Sequence, residues 1–316
     1  MRIRATVAAV TGALALSALS VPAAQAGDSD RPERADVAEI AQAARDAQQT
    51  GSPETTGKSR VASAEDDVPY AIDVTFSKVK VNNGKPIVAG TKNQVTVPLS
   101  FTLTHGADVD IHAEDFFADV AIYRGASYAE AENVLEGDYW PTCTSVSDTV
   151  ANCKGTIDVY PYEQLFNEDA ATWKAVGYAI DFNGQNPEEP LDLSRVGYTD
   201  QDSGLATTKL QRYSKLTVNA SPEPVAKGKT ITITGKLTRA NWDTSTYKGY
   251  TKQPVKLQFR KKGTDTYTTL KTVYTDSTGS LKTTRTASVD GYWRWNFAGT
   301  STTPAVKATG DYVDVK

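Results

Sequence analysis

Two stretches of this chain alternate apolar and polar residues so strictly that they admit one backbone conformation. In VTVPLSFTL, Val95, Val97, Leu99, Phe101 and Leu103 share one face; in TITITGKLT, Ile231, Ile233, Gly235 and Leu237 do the same. A period of two places successive side chains on opposite sides of a pleated backbone, so each stretch is a half-buried β-strand. Their surroundings repeat as well. Residues 81–104 read VNNGKPIVAGTKNQVTVPLSFTLT and residues 218–238 read VNASPEPVAKGKTITITGKLT. Each has Val-Asn, a Pro with a Gly four residues on, and a strand that ends in Leu-Thr. Further along, ATWKAVGYAID places Trp173 where GYWRWNFAGT places Trp293, each followed by a basic residue and an alternating strand. The correspondence predicts an internal duplication of one structural plan, with units over residues 68–212 and 213–316.

The second unit parses almost completely. Strands are expected over 215–220, 230–238, 254–260, 267–274, 280–286, 292–297 and 311–315, separated by turn signals such as TDSTG and VDG. Seven short strands in a unit of this length point to an immunoglobulin-like β-sandwich. An eight-stranded barrel is the competitor, but a long loop over 241–253 suits a link between two sheets better than a barrel's short hairpins. In DGYWRWNFAGT, alternation sets Trp293, Trp295 and Phe297 on one face and Tyr292, Arg294 and Asn296 on the other. The tryptophans are therefore expected between the sheets, leaving Tyr292 and Arg294 to face solvent. Thr, Val and Tyr are frequent and the initiator is the single Met, a profile that suits an all-β chain.

The first 26 residues, MRIRATVAAVTGALALSALSVPAAQA, combine Arg2 and Arg4, an apolar run and a small-x-small cleavage site, which together read as a secretory signal cut before Gly27. The run is too short and too rich in Thr, Ser and Gly for a bilayer span, so the mature chain is expected to have no transmembrane segment. Residues 27–67 are densely charged and almost free of aromatic side chains, and are expected to form a disordered acidic leader with a transient helix across 35–47. In an exported chain the two cysteines, Cys143 and Cys153, are expected to pair. Closing so short a loop stabilises by about 3 kcal/mol. In GDYWPTC, Tyr139 and Trp140 are expected to pack on that bridge.

Charge is divided unevenly. Residues 27–212 carry 15 Lys or Arg against 31 Asp or Glu, whereas residues 213–316 carry 17 against 7. A basic module after an acidic one suggests an anionic partner for the second unit. The strand VKLQFR sends Val255, Leu257 and Phe259 inward, so Lys256 and Arg260 face out, and Lys261 and Lys262 extend the basic stretch into the turn. The rival reading is an edge strand kept soluble by lysine. Trp242, Tyr247 and Tyr250, in the loop over 241–253, form a second candidate surface for sugars or peptides.

Catalytic motifs are missing where they would be read. The two histidines, His105 and His112, stand in HGADVDIHAED without the His-Glu-x-x-His of zinc proteases, and the acids around them lack the spacing of a calcium-binding EF-hand. Gly125-Ala126-Ser127-Tyr128-Ala129 falls one glycine short of a nucleophile elbow and lacks the parallel sheet that such an elbow needs. No catalytic residue, metal or cofactor is expected, and no specific nucleic-acid motif is present.

The run SKLTVNASPEPVAKGKTITITGKLT, with QPVKLQFRKKGTDTYTTLKTVYTDSTGSLKTT and DGYWRWNFAGTSTTPAV, resembles the C-terminal Ig-like domain of uncharacterised exported actinobacterial proteins. The resemblance covers the second unit and is looser over the first. It implies a secreted protein with tandem immunoglobulin-like domains and transfers no catalytic residues. The resulting expectation is a non-enzymatic binding or structural protein, extracellular or loosely associated with the cell wall. Its basic second unit would meet an anionic wall polymer, a polysaccharide or another extracellular protein. The alternative is an accessory part of an extracellular enzyme system, or a hydrolase with its site in the acidic first unit.

Overall fold

The computed structural model describes residues 34–50, 68–187 and 189–316. The expected signal peptide and the parts of the expected leader over 27–33 and 51–67 lie outside the described residues. The remainder of that leader departs from expectation. Helix α1 (Arg34–Thr50) buries Val37, Ile40, Ala41, Ala44 and Ala47, a stripe at helical spacing that finds a tertiary partner rather than water.

The strands of the first sandwich are β1 (Tyr70–Ala71), β2 (Val74–Val81), β3 (Ile87–Ala89), β4 (Val95–His105), β5 (Phe116–Gly125), β6 (Ala131–Leu135), β7 (Thr142–Ser147), β8 (Val150–Val159), β9 (Thr172–Asp181), β10 (Gly197–Gln201) and β11 (Thr207–Arg212). One sheet runs β2-β4-β8-β7; the other is centred on β9, with β5 and β6 on one side and β10 and β11 on the other. The second sandwich comprises β12 (Ser214–Leu216), β13 (Asn219–Ser221), β14 (Thr230–Asn241), β15 (Thr246–Gly249), β16 (Pro254–Lys261), β17 (Thr268–Tyr274), β18 (Ser280–Thr286), β19 (Gly291–Phe297), β20 (Val306–Lys307) and β21 (Asp311–Val313). Here β14 is flanked by β12 and β13 on one side and by β15 and β18 on the other, and the opposing sheet runs β17-β16-β19 with β20 and β21 beyond. Two separate sheets face one another, so the fold is all-β and immunoglobulin-like rather than a closed barrel.

The sequence repeat has a topological counterpart. Strands β4 and β14 each sit between an earlier strand and a later one in their sheets, and β9 and β19 each pair with a long strand on one side and two short ones on the other. Val97, Leu99, Phe101 and Leu103 are buried in the first core, and Ile231, Ile233 and Leu237 in the second. Trp173 and Trp295 are fully buried and Trp293 is 6 % exposed, so the tryptophans fill the space between sheets as their alternation predicts. Gly235 is required by the same packing. A Cβ there would lie 2.5 Å from both Trp295 Cδ1 and the Thr217 carbonyl.

Three local expectations are corrected. The expected strand over 215–220 is two short strands, β12 and β13, which pair with different parts of β14. The expected loop over 241–253 is largely a hairpin, because β14 runs on to Asn241 and β15 returns along it from Thr246 to Gly249. Cys143 and Cys153 are bonded across β7 and β8, as expected, but Trp140 packs on Phe117 with ring centroids 4.8 Å apart, in the cluster beneath α1.

The two sandwiches meet without a spacer. Arg212 ends β11 and Ser214 begins β12, and the Tyr213 N–H donates to the Ala89 carbonyl (2.8 Å) while its own carbonyl accepts from Ala240 N–H (2.8 Å). Trp242, at the tip of the β14–β15 hairpin, joins the hydrophobic core of the first sandwich. Its indole Nε1–H donates to the Gly90 carbonyl (2.7 Å), and its backbone N–H donates to Asn167 Oδ1 (3.1 Å). Asp243 Oδ1 accepts from the Asn167 N–H at 2.9 Å. Arg212 is buried under this hairpin with Nε donating to the Ala240 carbonyl (2.5 Å); burial, then the neighbouring Arg239, lower its pKa to about 10.

Candidate functional site

The outer face of the sheet formed by β17, β16, β19 and β21 carries Lys256, Arg260 and Arg294, which alternation turns outward. Strand β16 pairs with β17 on one side and β19 on the other, so it is central, and the edge-strand explanation of its lysine and arginine does not apply. Register sets Lys256 opposite Asn296, Gln258 opposite Arg294 and Arg260 opposite Tyr292, with Tyr312 of β21 opposite Tyr292. Even-numbered residues of β16 and β19 thus share the solvent side, while Val255, Leu257, Trp293, Trp295 and Phe297 are buried on the other.

On that face cations and rings alternate. The Arg294 guanidinium lies 3.6 Å from the Tyr267 ring centroid, and Arg260 lies 4.0 Å from Tyr292 and 5.4 Å from Tyr267. Tyr292 and Tyr312 are 5.1 Å apart, and Lys262 Nζ is 5.3 Å from the Tyr312 ring. The order Arg294, Tyr267, Arg260, Tyr292, Tyr312, Lys262 forms a continuous ladder. Ring faces attract cations through their quadrupole, which holds each long side chain in place without neutralising it. Arg294 is fixed further, since its Nε donates to Gln258 Oε1 (2.9 Å) and Gln258 Nε2 donates to Thr269 Oγ1 (3.0 Å).

Asp290 closes one end of the ladder. Its Oδ2 accepts from Tyr312 Oη (3.1 Å) and Lys262 Nζ (3.3 Å), and its Oδ1 accepts from the Val315 N–H (2.9 Å). The backbone N–H of Val315 outweighs partial burial and, with Tyr312 and Lys262, lowers the pKa of Asp290. Hydrogen bonding to Tyr312 and then Asp290 raises that of Lys262. Lys262 is therefore partly spoken for, whereas Lys256 is exposed on the same face. Lys261 is exposed too, but strand alternation turns it to the opposite side from Arg260.

The aromatic loop residues go elsewhere. Trp242 is 2 % exposed and cannot present its ring to a ligand, because the first sandwich covers it. Tyr247 is half-buried beneath Lys215 (3.6 Å to the ring), and Tyr250 lies between Phe297, at a centroid distance of 5.7 Å, and the Arg239 guanidinium at 3.9 Å. Trp242 and Tyr247 thus stand at the joint between the sandwiches, whereas Tyr250 packs within the second one. Tyr267 and Tyr312 complete the ladder, and alternation within a single strand does not point to either. The signal was available in the pairing of Tyr312 with Tyr292, but register between distant strands is not legible from one chain.

The acidic loop of the first unit has a structural part to play. His105 is buried at the end of β4 with Nδ1 2.9 Å from the Gly106 carbonyl oxygen, Asp110 Oδ1 accepts from the His112 N–H (2.9 Å), and Asp115 Oδ2 accepts from the Gly184 N–H (2.6 Å). Among the described residues no group of three or more His, Cys, Asp or Glu is arranged to hold a metal ion. Ser127 is engaged in a local turn, its Oγ accepting from the Glu130 N–H at 3.3 Å. No helix among the described residues is long and apolar enough to cross a membrane.

No family model and no curated protein matches the chain. Among solved structures it is similar to the adhesin InvE of Yersinia pseudotuberculosis, at 12 % identity and a TM-score of 0.23 over 76 % of this chain and 60 % of that one. It is also similar to the Ig1–Ig3 ectodomain of mouse nectin-like molecule 4, at 12 % identity and a TM-score of 0.21 over 78 % of this chain and 65 % of that one. The chain thus spans less than two thirds of the length of either structure, and a likeness this distant transfers neither ligand nor partner.

Proposed function

We propose that this is an exported, non-enzymatic binding protein of the cell envelope or extracellular space, in which the sandwich over residues 213–316 is the attachment module and the one over 68–212 its rigid mount. The ligand is an anionic polymer, bound along the ladder by Lys256, Arg260, Arg294 and Lys262 with Tyr267, Tyr292 and Tyr312 between them. The observation that carries this reading is the alternation of guanidinium and phenol groups on a central strand pair, where no edge needs protecting. Ring-stacked arginines present N–H donors at fixed spacing to phosphate or carboxylate oxygens, and the tyrosine rings offer flat apolar surface to sugar carbons. This unit is basic, with 17 Lys or Arg against 7 Asp or Glu, although the chain as a whole is net acidic.

The test is co-sedimentation of residues 27–316 with insoluble phosphate-bearing wall polymer, chitin and cellulose. The protein is expected to pellet with the anionic polymer and to remain in solution with the two neutral ones. The double variant Arg260→Glu/Arg294→Glu should lose retention while keeping its circular dichroism. Equal retention on all three polymers, or retention unaffected by the double variant, would sink the proposal.

A further inference from the structure

A cleft of about 500 Å³ opens in the first sandwich between the loop over 106–112, which follows β4, and the far end of β7 with its turn. Val109, Ile111 and Val146 line it together with the carboxylates of Asp108, Asp110 and Asp148. Among the described residues none of these carboxylates forms an ion pair with Lys or Arg. The negative field reaches past the cleft: burial first, and then Asp115 and Asp110, outweigh the Asn183 N–H and raise the pKa of Asp181. His105 is a second and independent sign. Its ring belongs to the same wall, although the residue is only 8 % exposed. Nδ1 faces the Gly106 carbonyl oxygen at 2.9 Å. A carbonyl only accepts, so Nδ1 carries a proton, and in the neutral ring Nε2 is then an acceptor. That Nε2 is buried without a hydrogen-bond partner.

A buried acceptor without a donor is costly, and the carboxylates beside it select a donor that is also a cation. Since no group of three or more His, Cys, Asp or Glu among the described residues is arranged to hold a metal ion, the chemistry fits an ammonium or guanidinium N–H. The cleft also runs into an open sheet edge, to which His112 Nε2 is tied at 2.8 Å from Ser145 Oγ. Strand β7 ends its sheet and pairs with β8 alone. The 4.0 Å Cα separation of Cys143 and Cys153 identifies a non-hydrogen-bonded pair, so the amide and carbonyl of Cys143, and by alternation those of Ser145, point away from β8. Other edges are guarded. Strand β2 is bulged between Ser77 and Lys80 and its Phe76 N–H donates to Gln201 Oε1 (2.9 Å), while β17 carries Lys271 and its Leu270 carbonyl accepts from Arg285 Nη2 (3.2 Å). Strand β7, TCTSVS, has neither a charged residue nor a proline, and its Val146 is 63 % exposed. An edge left in this state is a template for another strand.

We propose that the edge of β7 and the cleft beside it bind an extended segment of a partner protein, which pairs along β7 and places one arginine or lysine in the cleft. The backbone ladder supplies affinity, as in other strand additions, and Asp108, Asp148 and His105 select the cationic side chain.

Fluorescence anisotropy of a labelled peptide of sequence STVRVTVS, titrated with the chain, tests this. The same peptide with glutamine in place of arginine is expected to bind at least tenfold more weakly, and so is the arginine peptide N-methylated on alternate amides, which cannot complete a ladder. Asp108→Asn/Asp148→Asn should weaken the arginine peptide at least fivefold and leave the glutamine peptide unchanged. Ser145→Pro, which removes an outward N–H, should weaken both peptides by the same factor. Circular dichroism guards against loss of the sandwich; if the Ser145→Pro chain does not fold, the N-methylated peptide on the unaltered chain decides for the ladder. Absence of binding at millimolar peptide, equal affinity for the arginine and glutamine peptides, or an arginine peptide indifferent to the Asn pair would overturn the proposal. Undiminished binding of the N-methylated peptide, or full displacement of the arginine peptide by equimolar ethylguanidinium, would overturn it as well, since a free cation would then suffice.

Discussion

Replacing Trp242 by alanine should uncouple the two sandwiches. The indole belongs by sequence to the β14–β15 hairpin of the second sandwich, yet it is packed in the core of the first and donates to the Gly90 carbonyl at 2.7 Å. Truncating a buried Trp to Ala costs about 3–5 kcal/mol through lost transfer energy and the cavity left behind. Loss of the hydrogen bond adds about 1 kcal/mol unless water reaches Gly90. The expected loss is therefore about 4–6 kcal/mol, comparable to the lower end of the roughly 5–15 kcal/mol that holds a domain folded. Because the contact bridges both units, the loss should appear as broken cooperativity. In urea denaturation followed by circular dichroism, the unaltered chain should unfold in one transition and the variant in two. Trp242→Phe, which keeps most of the ring, should cost about 1–2 kcal/mol and retain the single transition. A Trp242→Ala chain that unfolds in one transition within about 1 kcal/mol of the parent would refute the joint as described.

Two further outcomes follow from the first sandwich. Cys143→Ser/Cys153→Ser should lower stability by about 3 kcal/mol on the chain-entropy model, read as a lower melting temperature that reducing agent reproduces in the unaltered chain. Asp158 is buried, which raises its pKa, but donors from Thr96, the Asp138 N–H, Thr156 and Gln94 together outweigh burial and lower it below the usual 3.8. A carboxyl with a depressed folded pKa stabilises above its unfolded value and loses that contribution as pH falls through the folded one. Asp158→Asn should therefore flatten the acid limb of the stability profile below about pH 4, and a profile identical to the parent's would contradict the assignment.

Much of the fold is legible because alternation is local. The strands β14, β16 and β19 stand out in the sequence since their inward residues are mostly large and apolar and their outward ones polar, and the burial of Trp293 and Trp295 follows from the same rule. What escapes is set by contacts distant along the chain. Strand β15 has no apolar side to betray it, so its pairing with β14 leaves no periodic signal. Trp242 reads as a loop aromatic because the core that receives it lies 152 residues away at Gly90. The apolar stripe of α1 is mostly alanine, too little surface to look like a docked helix until the aromatic face that covers it is known. For the candidate site, outward-facing Arg260, Tyr292 and Arg294 were predictable from alternation, whereas Tyr267 and Tyr312 join them only through strand register and the β16–β17 turn.

The ladder of cations and rings is tested most directly by the salt dependence of binding to a soluble poly(glycerol phosphate) chain, measured by titration calorimetry between low and physiological ionic strength. Each cation that displaces a counterion from a flexible polyanion contributes a slope of about 0.7 in log Kd against log salt. With Lys256, Arg260, Lys262 and Arg294 engaged, the expected slope is about 3, falling to about 1.5 in Arg260→Glu/Arg294→Glu. A slope near zero, or one unchanged by that double substitution, would show that this face is not where the polymer binds.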